Sequence, residues 1–534
     1  MKNNTSLLFT FLFTILFGSM VRAAITLPNI PATQFLITDY GASTSNLDNS
    51  TAINATITAA NTAGGGTVVI PANASPFLSG PITMKSNVNL FISAGATLQL
   101  MPYGNGNGLP AGSYPNNGTA DTYNNFIYGQ NLSNIEISGT GTIEGNGSAW
   151  WTAYNANSAI SRPCMIRFKA CHTVLIKDVK LKDAPNVHLT LGQSGSAVGD
   201  NGTISNVTIT APSSAPNTDA VDTWYWNGID ILNCNFAVGD DNVAMNTNSS
   251  NITIKDCTFG TGHGVSVGSY TSNVNNISVD NCTFTGTTNG IRLKSNTTRG
   301  GNETTFTYTN ITMNNVPNPF YITCWYPKEP TAAPSTLVAG TVISTTPDFK
   351  NITFKNITVT NSTNAGIIYG LPESYVKNVV FDNVKIAATT KGMVANFVTG
   401  MEFKNCSSIT IPAGKGNAIL PYNAETVLSS NVINGINTTS GTSTSCSLSV
   451  NEVKTANTFS CYPNPVKGDE FTINTDAGIE KIVIYNLLGE KIKEQNGNKS
   501  NQQTVTIKGF SAGCYIVETL LDNGKVNATK LIKE

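Results

Sequence analysis

Four short polar motifs follow one another through the middle of this chain: Asn217-Thr218-Asp219, Gly239-Asp240-Asp241, Gly262-His263-Gly264 and Arg292-Leu293-Lys294. Three carboxyl groups, an imidazole and two cations can together protonate a leaving oxygen, activate a water and hold an anion. That is the chemistry needed to hydrolyse a glycosidic bond beside an acidic sugar. Taken singly, each motif is a solvated turn or a surface pair in a chain rich in Asn, Thr and Gly. Their order, and the repeat that carries them, give them weight.

The repeat is what must position them. Asp178, Asn206, Asn233, Asp256, Asn281, Asn315, Asn356, Asn383 and Asn405 each stand two residues after an apolar residue, and a small or β-branched apolar residue follows. From position 178 to 281 the spacings are 28, 27, 23 and 25 residues, and later spacings of 34 and 41 imply loop insertions. A period in the twenties means one supersecondary unit per repeat, stacked on its neighbours. Leucine-rich repeats share this period but need a Leu framework, which is absent. Short β-runs without helical periodicity predict an all-β fold, a right-handed parallel β-helix with about 4.8 Å between coils. Residues 48–60 predict a capping helix at its N-terminal end, with Asp48 or Ser50 as N-cap.

Asp240 lies as far beyond Asn233 as His263 lies beyond Asp256, so the two are expected on neighbouring coils, one above the other. Asp219 and Lys294 share a larger offset, which needs longer turns at 211–216 and 286–289. With that allowance all four motifs fall on one face, along a groove suited to a linear polymer. Close carboxylates cannot all ionise cheaply, so at least one of Asp219, Asp240 and Asp241 should have a raised pKa. Adjacent residues of a regular strand point to opposite faces, so presenting both Asp240 and Asp241 requires a bulge or turn at Gly239.

Over 534 residues, charged side chains make up 12%, hydrophobic ones 40%, and the formal net charge is −1. No basic field exists to hold nucleic acid by counterion release, so that partner is excluded. Residues 1–23 read as a secretory signal, with Lys2, an apolar run over 7–17 and a small-residue cleavage site. The ten cysteines suit an oxidising compartment. Cys234, Cys257 and Cys282 recur in phase as small buried residues, and no C-x-x-C spacing points to zinc. The coil is expected over 24–433, a Ser/Thr/Gly-rich linker over 434–457 and a small β-sandwich over 458–534.

In order, the motifs resemble the Asn-Thr-Asp, Gly-Asp-Asp, Gly-His-Gly, Arg-x-Lys pattern of the polygalacturonases of glycoside hydrolase family 28. Further likeness lies in Asp39-Tyr40-Gly41-Ala42, Gly64-Gly65-Gly66-Thr67-Val68, Gly95-Ala96-Thr97-Leu98, and the Gly139–Gly147 segment before Trp150-Trp151. The resemblance covers roughly residues 35–410 and implies the parallel β-helix reached independently above. It implies inverting hydrolysis of α-1,4 galacturonan: Asp240 as general acid, Asp219 and Asp241 holding and deprotonating the water, and His263 tuning the acid. Arg292 and Lys294 would bind the uronate carboxylate, joined by a tyrosine that Tyr326 matches best, ahead of Tyr321. No cofactor or metal is implied. Ala220, Asn242 and Glu144 depart from the family's usual Gly, Cys and Asp. Packing is the better reading of Trp150 and Trp151 than sugar stacking, and structural roles fit His172 and His188.

Tyr462-Pro463-Asn464-Pro465, the Gly513-Cys514-Tyr515-Ile516-Val517 strand and basic Lys530 and Lys533 resemble the C-terminal sorting domain of type IX secretion. Export to the cell surface or medium, by secretion machinery acting on this domain, is therefore expected of a monomer. Rival functions are a rhamnogalacturonan or xylogalacturonan hydrolase, a pectate lyase, which would use calcium and β-elimination, and a non-catalytic adhesin, which would lack the carboxylates.

Overall fold

A computed structural model describes residues 25–104, 112–118, 122–428, 459–486, 490–523 and 526–534. The signal at 1–23, the linker at 434–457 and residues 105–111 and 119–121 lie outside the described residues. The chain divides into two compact units, Met1–Ser445 and Cys446–Glu534.

In the first unit the strands coil. Each turn lays down three strands, and each strand pairs in parallel with its counterpart one turn later. Gly199–Ser205, Thr208–Thr210 and Val221–Thr223 pair with Trp226–Leu232, Asn235–Ala237 and Val243–Met245. These in turn pair with Ser249–Lys255, Thr258–Phe259 and Val265–Val267. The sheet so formed has 33 strands among the described residues, a parallel β-helix.

The repeated Asn/Asp explains why the chain turns where it does. At all nine repeat positions, from Asp178 (φ 66°) to Asn405 (φ 50°), the backbone is left-handed. Asn and Asp tolerate that conformation best after Gly, because their short polar side chains satisfy local backbone groups. The side chains also bridge coils: Asn206 donates to Asp178 at 2.8 Å, and Asn383 to Asn356 at 3.0 Å. Inside, residues in register form continuous columns. Ile204, Ile231, Ile254 and Val279 align and are fully buried, and Tyr308, Phe354, Phe381 and Phe403 continue the column. Rings stack at 5.3, 4.9 and 4.6 Å along that aromatic part. Cys234, Cys257 and Cys282 are buried free thiols in a parallel column.

A helix, Ser50–Thr62, buries Ile53, Ile57 and Ala60 over the first coils. Its N-cap is Asn49, not Asp48 or Ser50. Asp48 instead turns its carboxylate to the Ser50 and Gly80 amides, at 2.7 and 2.8 Å, tying the helix start to the first coil.

The second unit is antiparallel. A sheet of Ser460–Tyr462, Glu470–Asn474 and Gln502–Thr506 accompanies one of Lys491–Asn496, Ile479–Asn486, Gly513–Leu521 and Val526–Lys533. Their inward residues, including Phe471, Ile473, Ile482, Ile484, Val505, Val517 and Leu531, share one core, a β-sandwich.

Phe259 lies between Phe236 and Phe284, with centroids 6.1 and 4.7 Å away, and is fully buried. Phe259→Ala is expected to cost about 3–5 kcal/mol of unfolding free energy. Denaturant titration of the coil unit reads this, and an unchanged midpoint would contradict the packing described.

Candidate active site

The four motifs meet on the face made by the third strand of each coil. Val221, Val243, Val265 and Ile291 are in register. Counting back two residues from each puts Asp219, Asp241, His263 and Asn289 at equivalent places on successive coils. Asp222, Ala244, Ser266 and Arg292 form the neighbouring outward column, which Tyr321 continues.

Asp240 departs from this simple phase. Phe236 faces Phe259 and Val243 faces Val265, yet the first coil has one more residue to fit between these points. The chain bends at Gly239 and Asp240 to absorb it, so both acids reach the groove. A Cβ at Gly239 would lie 2.1 Å from the Ala215 carbonyl oxygen, so only glycine fits this bend. By strand register, therefore, Asp241 is the residue level with His263, while the Asp240 and His263 side chains meet across the bend. The distance from Asp240 Oδ1 to His263 Nδ1 is 2.9 Å.

Asn242 clasps the same bend. Its amide donates to the Phe236 and Thr261 carbonyls at 3.1 and 3.0 Å and accepts the Gly264 N–H at 2.9 Å. Here hydrogen bonds join the Gly-Asp-Asp turn to the Gly-His-Gly turn, where a cysteine would be usual.

Asp241 is almost fully buried and heavily neutralised. Lys294 Nζ lies 2.6 Å from Oδ2, Arg292 Nη1 lies 3.1 Å from Oδ1, and the Ser266 hydroxyl donates to Oδ1 at 2.8 Å. A buried carboxylate left unpaired would cost several kcal/mol, and these partners pair it and fix its position. Asp240, Asp241 and His263 offer ligand atoms within 4.8 Å of one another, a spacing a metal ion tolerates. Both Asp241 oxygens are already engaged, however, and the arrangement reads as a network of hydrogen-bonded ion pairs.

The proton affinities diverge. Burial raises Asp219 well above the ordinary carboxylate range, and negative charge on Asp222, Asp240 and Asp241 adds to this against the pull of Lys294. Burial also acts on Asp240, but His263, Lys294 and Arg292 outweigh it and hold this carboxyl below its usual value. Of the motif acids, Asp219 is thus raised and Asp240 lowered.

Around these acids, Arg292 stands 5.9 Å from the Tyr321 ring and 5.8 Å from that of Tyr326, and Lys294 stands 5.4 Å from Tyr326. Both tyrosines therefore flank the cations. Asn217 donates to Asp240 at 3.4 Å and is itself held by Arg162 at 2.8 Å. His188 lies beneath, with Nδ1 3.1 Å from the Asp219 carbonyl oxygen, and its burial lowers its pKa to about 4. Trp150 is fully buried among Tyr103, Tyr114 and Tyr123, away from any sugar-stacking position.

One acidic residue escaped the motif reading. Asp222 shares a hydrogen bond with Asp219, and burial, with the charge of Asp241 next, pushes its pKa up to about 7. The available signal was strand parity: in the strand Val221–Thr223 the flanking residues are buried, so the middle one faces outward.

Known proteins resemble this chain along both units. The profile of glycosyl hydrolases family 28 matches residues 65–408, and that of a secretion system C-terminal sorting domain matches residues 460–534. An endo-polygalacturonase of Pectobacterium carotovorum subsp. carotovorum is 32% identical over 376 residues, which is 65% of this chain and 87% of that protein. The solved polygalacturonase of Erwinia carotovora ssp. carotovora superposes with a TM-score of 0.53 at 26% identity, covering 78% of this chain and 98% of that one. An exopolygalacturonase of Thermotoga maritima gives 0.53 at 21% identity, covering 76% and 93%, a likeness of fold.

Asp222 gives a pH signature in stability. Its folded value of about 7 lies above the unfolded carboxylate value near 3.9, so folding favours the protonated form. The wild type therefore loses stability as pH rises from about 4 through about 7, by at most about 4 kcal/mol. Asp222→Asn should melt close to the wild type near pH 4 and above it at neutral pH. Parallel melting curves across that range would contradict the burial of this carboxyl.

Proposed function

The chain belongs to the glycosyl hydrolases of family 28 and is a glycoside hydrolase; from that premise we propose that it is an exported, monomeric polygalacturonase that cleaves α-1,4 galacturonan by an inverting mechanism. The observation that carries this reading is the Asp240–His263 pair at 2.9 Å beside the Arg292–Asp241–Lys294 cluster, on one groove.

In the proposed reaction Asp240 donates its proton to the leaving glycosidic oxygen. Asp219 and Asp241, on adjacent coils, hold the attacking water on the opposite face of the sugar, and one of them takes its proton. An inverting pair needs about 6.5–9.5 Å between acid and base, enough to admit that water. Arg292 and Lys294 bind the uronate carboxylate, the arginine through its forked donors, with Tyr326 and Tyr321 beside them.

The low proton affinity of Asp240 in the free protein is consistent with this role. Two of the groups that depress it are Lys294 and Arg292. An anionic sugar arriving there neutralises them and leaves Asp240 in a more desolvated site, so substrate binding itself raises the acid toward the working range. His263 supplies the hydrogen bond that keeps the carboxyl aimed.

The sorting domain supports export and, with the signal at residues 1–23, a place at the cell surface or in the medium, where pectic polymers are found.

Asp240→Asn is expected to lower kcat on polygalacturonate at least about a hundredfold while changing oligogalacturonate affinity and melting temperature little. Wild-type digests should gain reducing ends without an ultraviolet-absorbing unsaturated sugar. Full turnover in the variant, or an unsaturated product, would reject the assignment.

A further inference from the structure

The outward column that holds Asp222 and Arg292 continues toward the N-terminus. Arg167 is in register with Thr190, and Thr190 with Asp222. Arg167 thus stands on the same face two coils from Asp222, about 10 Å along the axis at ordinary strand spacing. Tyr128 and Thr83 extend the column in the same direction.

At this place lies a hollow of about 490 Å³, lined among others by Thr83, Asn125, Tyr128, Arg167 and Gln193. Arg167 is the charged residue of that lining. Among the described residues it has no carboxylate within ion-pair distance. Its Nη2 reaches only the Cys164 thiol, at 3.1 Å, and its Nε is buried without a hydrogen-bond partner. Cys164 is in turn placed by the Asn125 side chain, which accepts its N–H at 3.2 Å. The charge of Arg167 is felt by Asp222, two coils away, but no carboxylate touches it, so in this amide- and hydroxyl-lined hollow its five donors lack the close anion they are built to meet.

We propose that Arg167 and this hollow form an additional uronate-binding subsite, which takes the carboxylate of a galacturonate unit on the N-terminal side of the cleaved bond. The inference rests on the polygalacturonase reading and adds to it a contact remote from the reacting atoms. Such a contact acts through binding energy that only a long enough chain can collect. Arg167 is a specificity residue in this account, and its signature is dependence on chain length.

The test compares wild type, Arg167→Gln and Arg167→Lys on polygalacturonate and on purified oligogalacturonates of increasing length, with melting temperatures measured alongside. Arg167→Gln should lose about tenfold in kcat/KM on the polymer and on long oligomers, and the advantage of long over short substrates should collapse. Arg167→Lys should recover part of that advantage, as a point charge in place of a fork. Melting temperatures should stay together. An equal loss on short and long substrates would assign Arg167 a structural role and overturn the subsite, as would no loss on any. Wild type inactive on every galacturonan would instead overturn the reading beneath it, which separates the two failures.

Discussion

The active face depends on one constraint, the hydrogen-bonded parallel register of the third strand in each coil. Val221, Val243, Val265 and Ile291 lock four coils together, and everything outward of them inherits that alignment. A slip of one residue in any coil would turn its functional side chain inward. The extra residue at the Gly239–Asp240 bend is therefore consequential. It breaks alternation once and brings two adjacent acids to one groove, and the Asn242 clasp and the close approach to Ala215 hold it there.

Within that frame, charge is distributed unevenly. Asp241 is sealed between Lys294 and Arg292, and Asp240 is drawn low by His263 and the same cations, while Asp219 is driven up by burial and the charge of Asp222, and Asp222 by burial and the charge of Asp241. Burial and neighbouring charge push these carboxyl groups in opposite directions, Asp219 and Asp222 up and Asp240 down, which eases their close approach. In the proposed reaction the cations that shift this balance also bind the acidic sugar, which couples substrate binding to proton affinity through Arg292 and Lys294. On that reading the site favours an anionic polymer over a neutral one.

Much of this was legible before any coordinates. The Asn/Asp repeat announced the coil because a left-handed backbone position selects those residues wherever glycine is not used, and the spacing fixed its period. The order of the motifs then indicated a shared groove. Three details were hidden. Counting from Asn233 and Asp256 aligned Asp240 with His263, but a turn of unequal length lay between and shifted the register to Asp241. Asp222 carried no motif, and only the burial of its neighbours reveals its outward position. The capping helix was expected from its apolar spacing, yet its first residue depended on Asp48 reaching Gly80 across the coil, a long-range contact that local sequence does not encode.

The two units answer different demands. The coil presents the stacked motifs on one repeating face, and the antiparallel sandwich matches a sorting domain, which points to export. The central claim, that acids from separate coils act on opposite sides of one sugar, is tested most directly by following the anomeric proton of the first product by NMR during hydrolysis of oligogalacturonate. The account predicts that the β-anomer appears first and then mutarotates. Initial release of the α-anomer would mean retention, and would contradict a water held between stacked coils.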